Sequence, residues 1–201
     1  MVVKKIMEVN TTALNSYITI YDDIFPKETS ESFTRVCELQ KDWYQSSVVR
    51  KGGAVVDTET RNTLIWELNN IHGRTKTEIH WSNLFIKTFK DYTQKYKEQL
   101  KIENFPCTME SVQVLKYTPG CFFTIHTDHC AKIPRTLSYI YLVNNNFKGG
   151  ELTFTSPPGD KTLKIENKKN RLIIWPSNFL YPHYVTPVEE GIRYSVVGWA
   201  L

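Results

Sequence analysis

No run of apolar residues in this 201-residue chain approaches the roughly 20 that a membrane-crossing helix requires. The start, Met1-Val2-Val3-Lys4-Lys5, lacks the apolar core of a secretory leader. Cysteine is scarce. Cys37, Cys107, Cys121 and Cys130 are the whole set, and no two stand in Cys-x-x-Cys spacing. With no leader in view, free thiols in a reducing cytoplasm are the simplest expectation. There is no internal repeat, low-complexity tract or long linker. Charge of one sign is also lacking: 25 basic against 21 acidic residues leave a net charge of only +4. The densest basic stretch, Lys161, Lys164, Lys168, Lys169 and Arg171, is broken by Glu166 and Asn167. It reads as a solvated hairpin rather than a nucleic-acid footprint.

Aromatic residues, by contrast, are plentiful: eleven Tyr, ten Phe and five Trp. The length suits one domain, residues 1–201, with a sizeable core. Tyr17 to Tyr21 alternates like a strand. Phe25-Pro26 opens a helical pattern with Phe33, Val36, Cys37 and Leu39 on one face, Pro26 suiting the first turn. From Trp81 to Leu100 the residues Trp81, Leu84, Phe85, Thr88, Phe89, Tyr92 and Tyr96 keep the helical period, a stripe expected to back a sheet. Beyond Met109 the pattern becomes short strands: 111–117, 122–126, 136–143, 151–155, 161–165, 171–175, 184–187 and 193–201. Turn signals such as Thr118-Pro119-Gly120, Gly149-Gly150, Pro157-Pro158-Gly159 and Pro176-Ser177-Asn178 separate them. Eight short strands at this spacing predict an α+β, mainly β fold, a double-sheet jelly roll (double-stranded β-helix) with amino-terminal helices packed outside. Residues 1–105 would supply helical support and substrate loops, and 106–201 the jelly-roll core.

Within that strand-rich half stands His126-Thr127-Asp128, with His183 downstream and Arg193 ten residues later. On an extended strand, residues i and i+2 point to the same side, so His126 and Asp128 can reach one metal. Two ligands alone hold iron weakly, and His183 can bring a third from another strand. Two His and one carboxylate on one face of an octahedral metal form the facial triad of non-haem iron(II) oxygenases, with positions open for cosubstrate and dioxygen. A competing arrangement is a zinc cluster of His126, His129 and Cys130 on a helix. Pro119-Gly120 before the motif, Pro134 after it and the Phe122-Phe123-Thr124-Ile125 run favour a strand instead.

The motifs together resemble the prolyl-4-hydroxylase-type 2-oxoglutarate- and iron(II)-dependent dioxygenases, most closely from Gln113 to Trp199. The carrying segments are Gln113 to Gly120, Phe123 to Asp128, Arg135 to Ser138, Leu142-Val143-Asn144, Gly149 to Phe154, His183 to Val188, Gly191-Ile192-Arg193 and Trp199. The resemblance implies that His126, Asp128 and His183 ligate iron(II) and that no further residue is catalytic. It implies Arg193 as the partner of the distal carboxylate of 2-oxoglutarate, with Tyr117 and Ser195 in support; Arg makes a bidentate pair there that Lys cannot. The competing readings are core lining for Tyr117 and Ser195 and a surface strand charge for Arg193. The family's central Tyr-Leu-Asn is here Leu142-Val143-Asn144, and a common Thr is here Ser138; neither departure is expected to touch the metal. Arg61 stands where the family often has an Arg near the substrate cleft, though it also reads as a solvated loop residue. Arg61 and His129 are the candidate substrate contacts, and Lys51-Gly52-Gly53 a candidate mobile loop.

The implied activity is hydroxylation of a prolyl residue in a peptide or protein by iron(II), 2-oxoglutarate and dioxygen, with ascorbate a candidate reductant. Succinate and carbon dioxide would be released. Other readings stay open: an oxygenase of free amino acids or small molecules, one that repairs alkylated nucleic acid, and a jelly-roll binding module without catalysis. The repair class usually carries a second Arg six residues after the first, where this chain has Trp199. The intact His126, Asp128, His183 and Arg193 argue against a module that has lost catalysis. Asp128 also argues against a halogenase, which needs a small residue there. The mouth of the site is expected from Arg50 to Thr63, from Asp128 to Pro134 and near Phe179 to Tyr181, with Trp43, Trp66, Phe179 and Tyr181 available to stack on substrate.

Overall fold

The computed structural model describes residues 14–50, 52–68, 75–103, 108–156, 159 and 161–201. The leader reading at Met1–Lys5, Cys107, Lys51 of the candidate mobile loop and the Pro157-Pro158 turn lie outside the described residues. Sixteen strands and two helices of three turns or more run in the order β1 (Thr19–Asp22), α1 (Lys27–Leu39), β2 (Tyr44–Gln45), β3 (Val48–Arg50), β4 (Gly53–Val55), β5 (Arg61–Asn62), β6 (Leu64–Glu67) and α2 (Lys76–Leu100). Then follow β7 (Met109–Tyr117), β8 (Phe122–His126), β9 (Leu137–Leu142), β10 (Lys148–Gly149), β11 (Leu152–Thr155), β12 (Thr162–Lys164), β13 (Arg171–Pro176), β14 (His183–Val185), β15 (Val188–Glu190) and β16 (Arg193–Ala200). The eight strands expected after Met109 all form, with ends moved by one or two residues.

A larger sheet has the order β1-β13-β9-β16-β7-β6-β2, and a smaller one the order β12-β11-β14-β8-β5. Every pairing in both is antiparallel. This is the jelly roll expected. Alternation along β16 shows how the sheet divides two cores. Tyr194, Val196 and Ala200 face the helices together with Phe33, Phe85, Phe89 and Tyr139. Val197 and Trp199 face the smaller sheet with Leu115, Leu152, Phe154 and Val185. Both faces are covered, so β9 and β16 are buried along their whole length. Gly198 is required where Phe89 crosses β16, since a Cβ there would stand 2.8 Å from the ring.

The helix α2 begins five residues before the expected Trp81. Thr75 and Glu78 form a reciprocal capping box that satisfies orphan N–H groups of the first turn. Trp81, Phe85, Phe89 and Tyr96 of the expected stripe are buried. In α1, Phe33 and Cys37 are buried, but Leu39 is 77% exposed. The helix ends at Leu39, so that residue has turned off the packed face.

Two other expectations are corrected. The jelly-roll core does not begin at residue 106: β1, β2 and β6 extend the larger sheet and β5 edges the smaller one. These strands are two to four residues long, too short for periodicity to declare them. The basic stretch is not uniformly solvated either. Arg171 is 8% exposed and clamps Asp22 through Nε–Oδ1 at 2.7 Å and Nη2–Oδ2 at 3.1 Å, tying β1 to β13. No helix among the described residues is long and apolar enough to cross a membrane.

Candidate metal centre

In the smaller sheet, β14 lies beside β8 with His183 opposite His126 in register. That pairing brings together residues far apart in sequence. The strand β8 stops at His126, and Asp128 lies just beyond its end. Strand alternation alone therefore does not aim the carboxylate, contrary to expectation. A hydrogen bond from β9 does: Ser138 Oγ donates to Asp128 Oδ2 at 2.6 Å, and Ser138 is itself joined to Ser177 Oγ at 2.7 Å. Ser138 thus does touch a carboxylate of the candidate metal site, although its replacement of Thr was expected to leave the metal alone. Nothing in the sequence announces this contact, because it depends on β9 passing beneath the loop.

His126 Nε2 lies 3.7 Å from Asp128 Oδ1, and His183 Nε2 lies 3.5 Å from Asp128 Oδ2. One ligand atom from each of the three residues falls within 4.8 Å of the others. His126 Nδ1 is 2.8 Å from the Thr124 carbonyl, and His183 Nδ1 is 3.0 Å from the Tyr181 carbonyl. A carbonyl only accepts, so Nδ1 carries a proton in each ring and Nε2 is the atom turned to a metal. Burial, and next the nearby His183, depress the His126 pKa to about 3, so the ring needs no deprotonation before it ligates at neutral pH. Burial alone would raise the Asp128 pKa. His183, His126, the Ser138 hydroxyl and Arg135 outweigh it and hold the carboxyl below its usual value. Two imidazoles and one carboxylate suit a divalent metal with open positions. The arrangement excludes the zinc cluster with His129. That ring is exposed, and its Nδ1–H donates to the Arg135 carbonyl at 2.9 Å.

A chamber of about 40 Å³ adjoins the triad. His126, Asp128, His183, Arg61, Tyr117 and Trp175 line it beside Tyr139 and Trp199, and the rest is apolar, including Leu115, Leu152 and Val197. Arg193 lies opposite Tyr117 across the β16–β7 pairing, with its guanidinium carbon 5.0 Å from the Tyr117 ring centre. It is fully buried and makes one hydrogen bond, from Nη1 to Ser195 Oγ at 2.8 Å. Nε and Nη2 have no partner. Burial lowers its pKa. A guanidinium held this way, with two donors free, calls for an anion, since leaving a buried charge unpaired is costly. The readings of Arg193 as a surface charge and of Tyr117 and Ser195 as mere core lining give way to one connected group.

The chamber meets a cleft of about 430 Å³ between the β3–β4 hairpin and the loop after Asp128. Arg61, Phe123, His126, Asp128 and Trp199 line both. Arg61 is 9% exposed, not a solvated loop residue, and sits 4.8 Å over the Phe123 ring. Its Nε is unpaired. Of the expected mouth segments, 50–63 and 128–134 contribute Thr60, Arg61, Cys130 and Ile133. The third does not. Tyr181 faces a separate cavity of about 360 Å³, and Phe179 is 73% exposed and lines neither the cleft nor the chamber. Trp43 and Trp66 pack against each other in the helix-side core, so neither can stack on substrate. His129, the other candidate substrate contact, is exposed and does not line the cleft. Unsignalled in the sequence is Arg135, which pairs with Glu110 at 2.6 Å and lies 3.8 Å over Trp199 at the cleft wall.

Residues 112–201 match the model of the 2OG-Fe(II) oxygenase superfamily. Among curated proteins, a PKHD-type hydroxylase of Crocosphaera subtropica is 28% identical over 106 residues, covering 49% of this chain and 46% of that protein. One of Synechococcus is 34% identical over 67 residues, covering 32% of this chain and 28% of that protein. The chain spans about half the length, 46%, of the first of these relatives. A prolyl hydroxylase of Trichoplax adhaerens, solved with a hypoxia-inducible-factor peptide fragment, superposes with a TM-score of 0.71 at 20% identity, covering 94% of this chain and 86% of that one. A Pseudomonas putida prolyl-4-hydroxylase gives 0.68 at 16%, covering 94% and 97%. At these identities the structural likeness is one of fold.

Proposed function

We propose that this chain, a 2-oxoglutarate- and iron(II)-dependent oxygenase of the prolyl-4-hydroxylase type, acts as one domain to hydroxylate a prolyl residue within a peptide or protein. The observation that carries the reading is the pairing of a two-His, one-carboxylate donor set with a buried Arg193 whose Nε and Nη2 are unpaired. His126, Asp128 and His183 would hold iron(II), which would supply the oxygen-activating chemistry that couples oxidation of 2-oxoglutarate, to succinate and carbon dioxide, with hydroxylation of substrate. Arg193 pairs with the distal carboxylate, and Ser195 holds one arm of the guanidinium toward it. Tyr117, packed against Arg193 and lining the chamber, contacts the same acid. Arg61 offers its unpaired Nε to a substrate carbonyl at the junction of chamber and cleft. Dry walls around the chamber keep these interactions strong.

The cleft supports a peptide rather than a nucleic acid. Arg135 is neutralised by Glu110, Glu67 stands in the same wall, and Trp199 occupies the position of a second Arg beneath Arg135. A phosphate backbone gains from many cationic contacts, and this wall does not offer them. Ascorbate is the proposed reductant, and the unpaired thiols Cys37, Cys121 and Cys130 suit a reducing cytoplasm.

Succinate formation from 2-oxoglutarate, measured against proline-containing peptides, free amino acids and alkylated oligonucleotides, tests the reading. Proline-containing peptides should stimulate turnover and gain the mass of one oxygen atom on proline. Turnover driven only by oligonucleotides, with steep salt dependence, would move the chain to the repair class. Arg193→Met should weaken 2-oxoglutarate binding by roughly 3–5 kcal/mol, the cost of breaking one side of a buried charge pair. Unchanged affinity would mean that the acid binds elsewhere.

A further inference from the structure

We infer that the Trp175 indole N–H is a hydrogen-bond donor to the metal-bound end of the 2-oxo acid, an inference that rests on the oxygenase reading. Trp175 is 3% exposed, and its Nε1 is buried without a partner. It lies opposite Ser138 in the β13–β9 pairing, and Ser138 is the residue that holds Asp128. Its ring meets the His183 ring edge-on, with centres 5.1 Å apart and planes at 75°. The same side chain lines the chamber beside the triad. An indole is a donor only, and a buried donor left unpaired is costly. A phenylalanine would fill the same wall without that cost. The cost is removed when an oxygen acceptor enters the chamber. Among the described lining residues the side-chain acceptors are the triad and the Tyr117 and Tyr139 hydroxyls, and the Tyr139 hydroxyl is already joined to Thr93 Oγ1; a group bound at the metal is the acceptor the chamber is built to receive. Arg193 packs on Tyr117 and is not among the residues lining the chamber, whereas Trp175 and the triad are. The distal carboxylate goes to Arg193, and the oxo-acid end is left for Trp175.

The five Trp residues make a direct test simple. Protein labelled with 15N at tryptophan and loaded with zinc(II), which is diamagnetic, would show the indole N–H signals by NMR. Trp175→Phe identifies the Trp175 signal by its loss. Should that variant not fold, a nuclear Overhauser contact between the indole and the His183 ring identifies it instead. Titration with 2-oxoglutarate should move this signal downfield and slow its exchange with water. Trp175→Phe should bind 2-oxoglutarate about tenfold more weakly, the size of one hydrogen bond to a charged acceptor, with zinc content unchanged. A signal that stays still while the acid saturates the site overturns the inference alone, as does a shift already complete with zinc, which would assign the partner to water. Failure of the unaltered protein to bind 2-oxoglutarate at all overturns the oxygenase reading and this inference with it.

Discussion

Removing one hydroxyl from β9 tests how this centre is held together. Ser138 Oγ donates to Asp128 Oδ2 at 2.6 Å, a short charge-assisted contact, and Ser138 is 1% exposed. No water can replace the hydroxyl without opening the core. A hydrogen bond to a charged group is worth roughly 1.5–3 kcal/mol. That whole amount does not appear in metal affinity, because the bond exists before the metal arrives and is lost from both states. What is lost specifically is aim. Asp128 lies past the end of β8, so without Ser138 its carboxylate must be oriented at the moment of binding. Partners of this kind contribute about 10–100-fold to metal affinity. The low end applies, since Asp128 keeps its attraction to His126 and His183. Ser138→Ala should therefore weaken zinc(II) or cobalt(II) binding by about tenfold, or ~1.4 kcal/mol, in competition against a chromogenic chelator. Ser138→Thr, which keeps the hydroxyl, should bind close to the unaltered protein. Equal affinity in Ser138→Ala, or equal losses in both variants, would refute the idea that the hydroxyl orients the carboxylate.

Other expectations follow from the same geometry. His183→Ala should lose metal and turnover, whereas His129→Ala, altering an exposed ring, should retain metal content by elemental analysis; the reverse pattern would return the zinc-cluster arrangement. Acid should loosen β1: the Arg171 bond holds the Asp22 pKa at about 2, below its usual 3.8. A folded-state pKa below the unfolded one gives stability that is full above about pH 4 and lost as pH falls toward about 2. The shift would be worth at most about 2.4 kcal/mol, but Asp22 is 35% exposed, and screening reduces this to about 1 kcal/mol. Asp22→Asn should be less stable by that much in urea at pH 7 and indistinguishable near pH 2; a gap that persists in acid would assign the effect elsewhere. Gly198→Ala should lower the melting temperature in calorimetry, with about 1–3 kcal/mol lost to overpacking, because Phe89 lies 2.8 Å from the new Cβ and is stacked on Tyr139. No change would mean that the ring has room to yield.

By itself the sequence determined the chemistry and the layers. His126, Asp128 and His183 are the right donor types, and turn residues between short apolar runs declare a two-sheet fold. The stripe from Trp81 to Tyr96 declares the helix that backs it, because period 3.6 and period 2 each mark a face. Arg193 and Ser195, two apart on β16, were bound to share one. Only the tertiary structure decided which face meets which. Hydrogen-bond register sets His183 opposite His126 and Tyr117 opposite Arg193, and no local pattern encodes the partner of a strand. The contact of Ser138 with Asp128 and the place of Trp175 beside His183 depend on two sheets packing face to face. So does the arrival of Arg61, from a two-residue strand, at the mouth of the chamber. Periodicity says that a side chain is buried; packing between segments distant in the chain says what it touches.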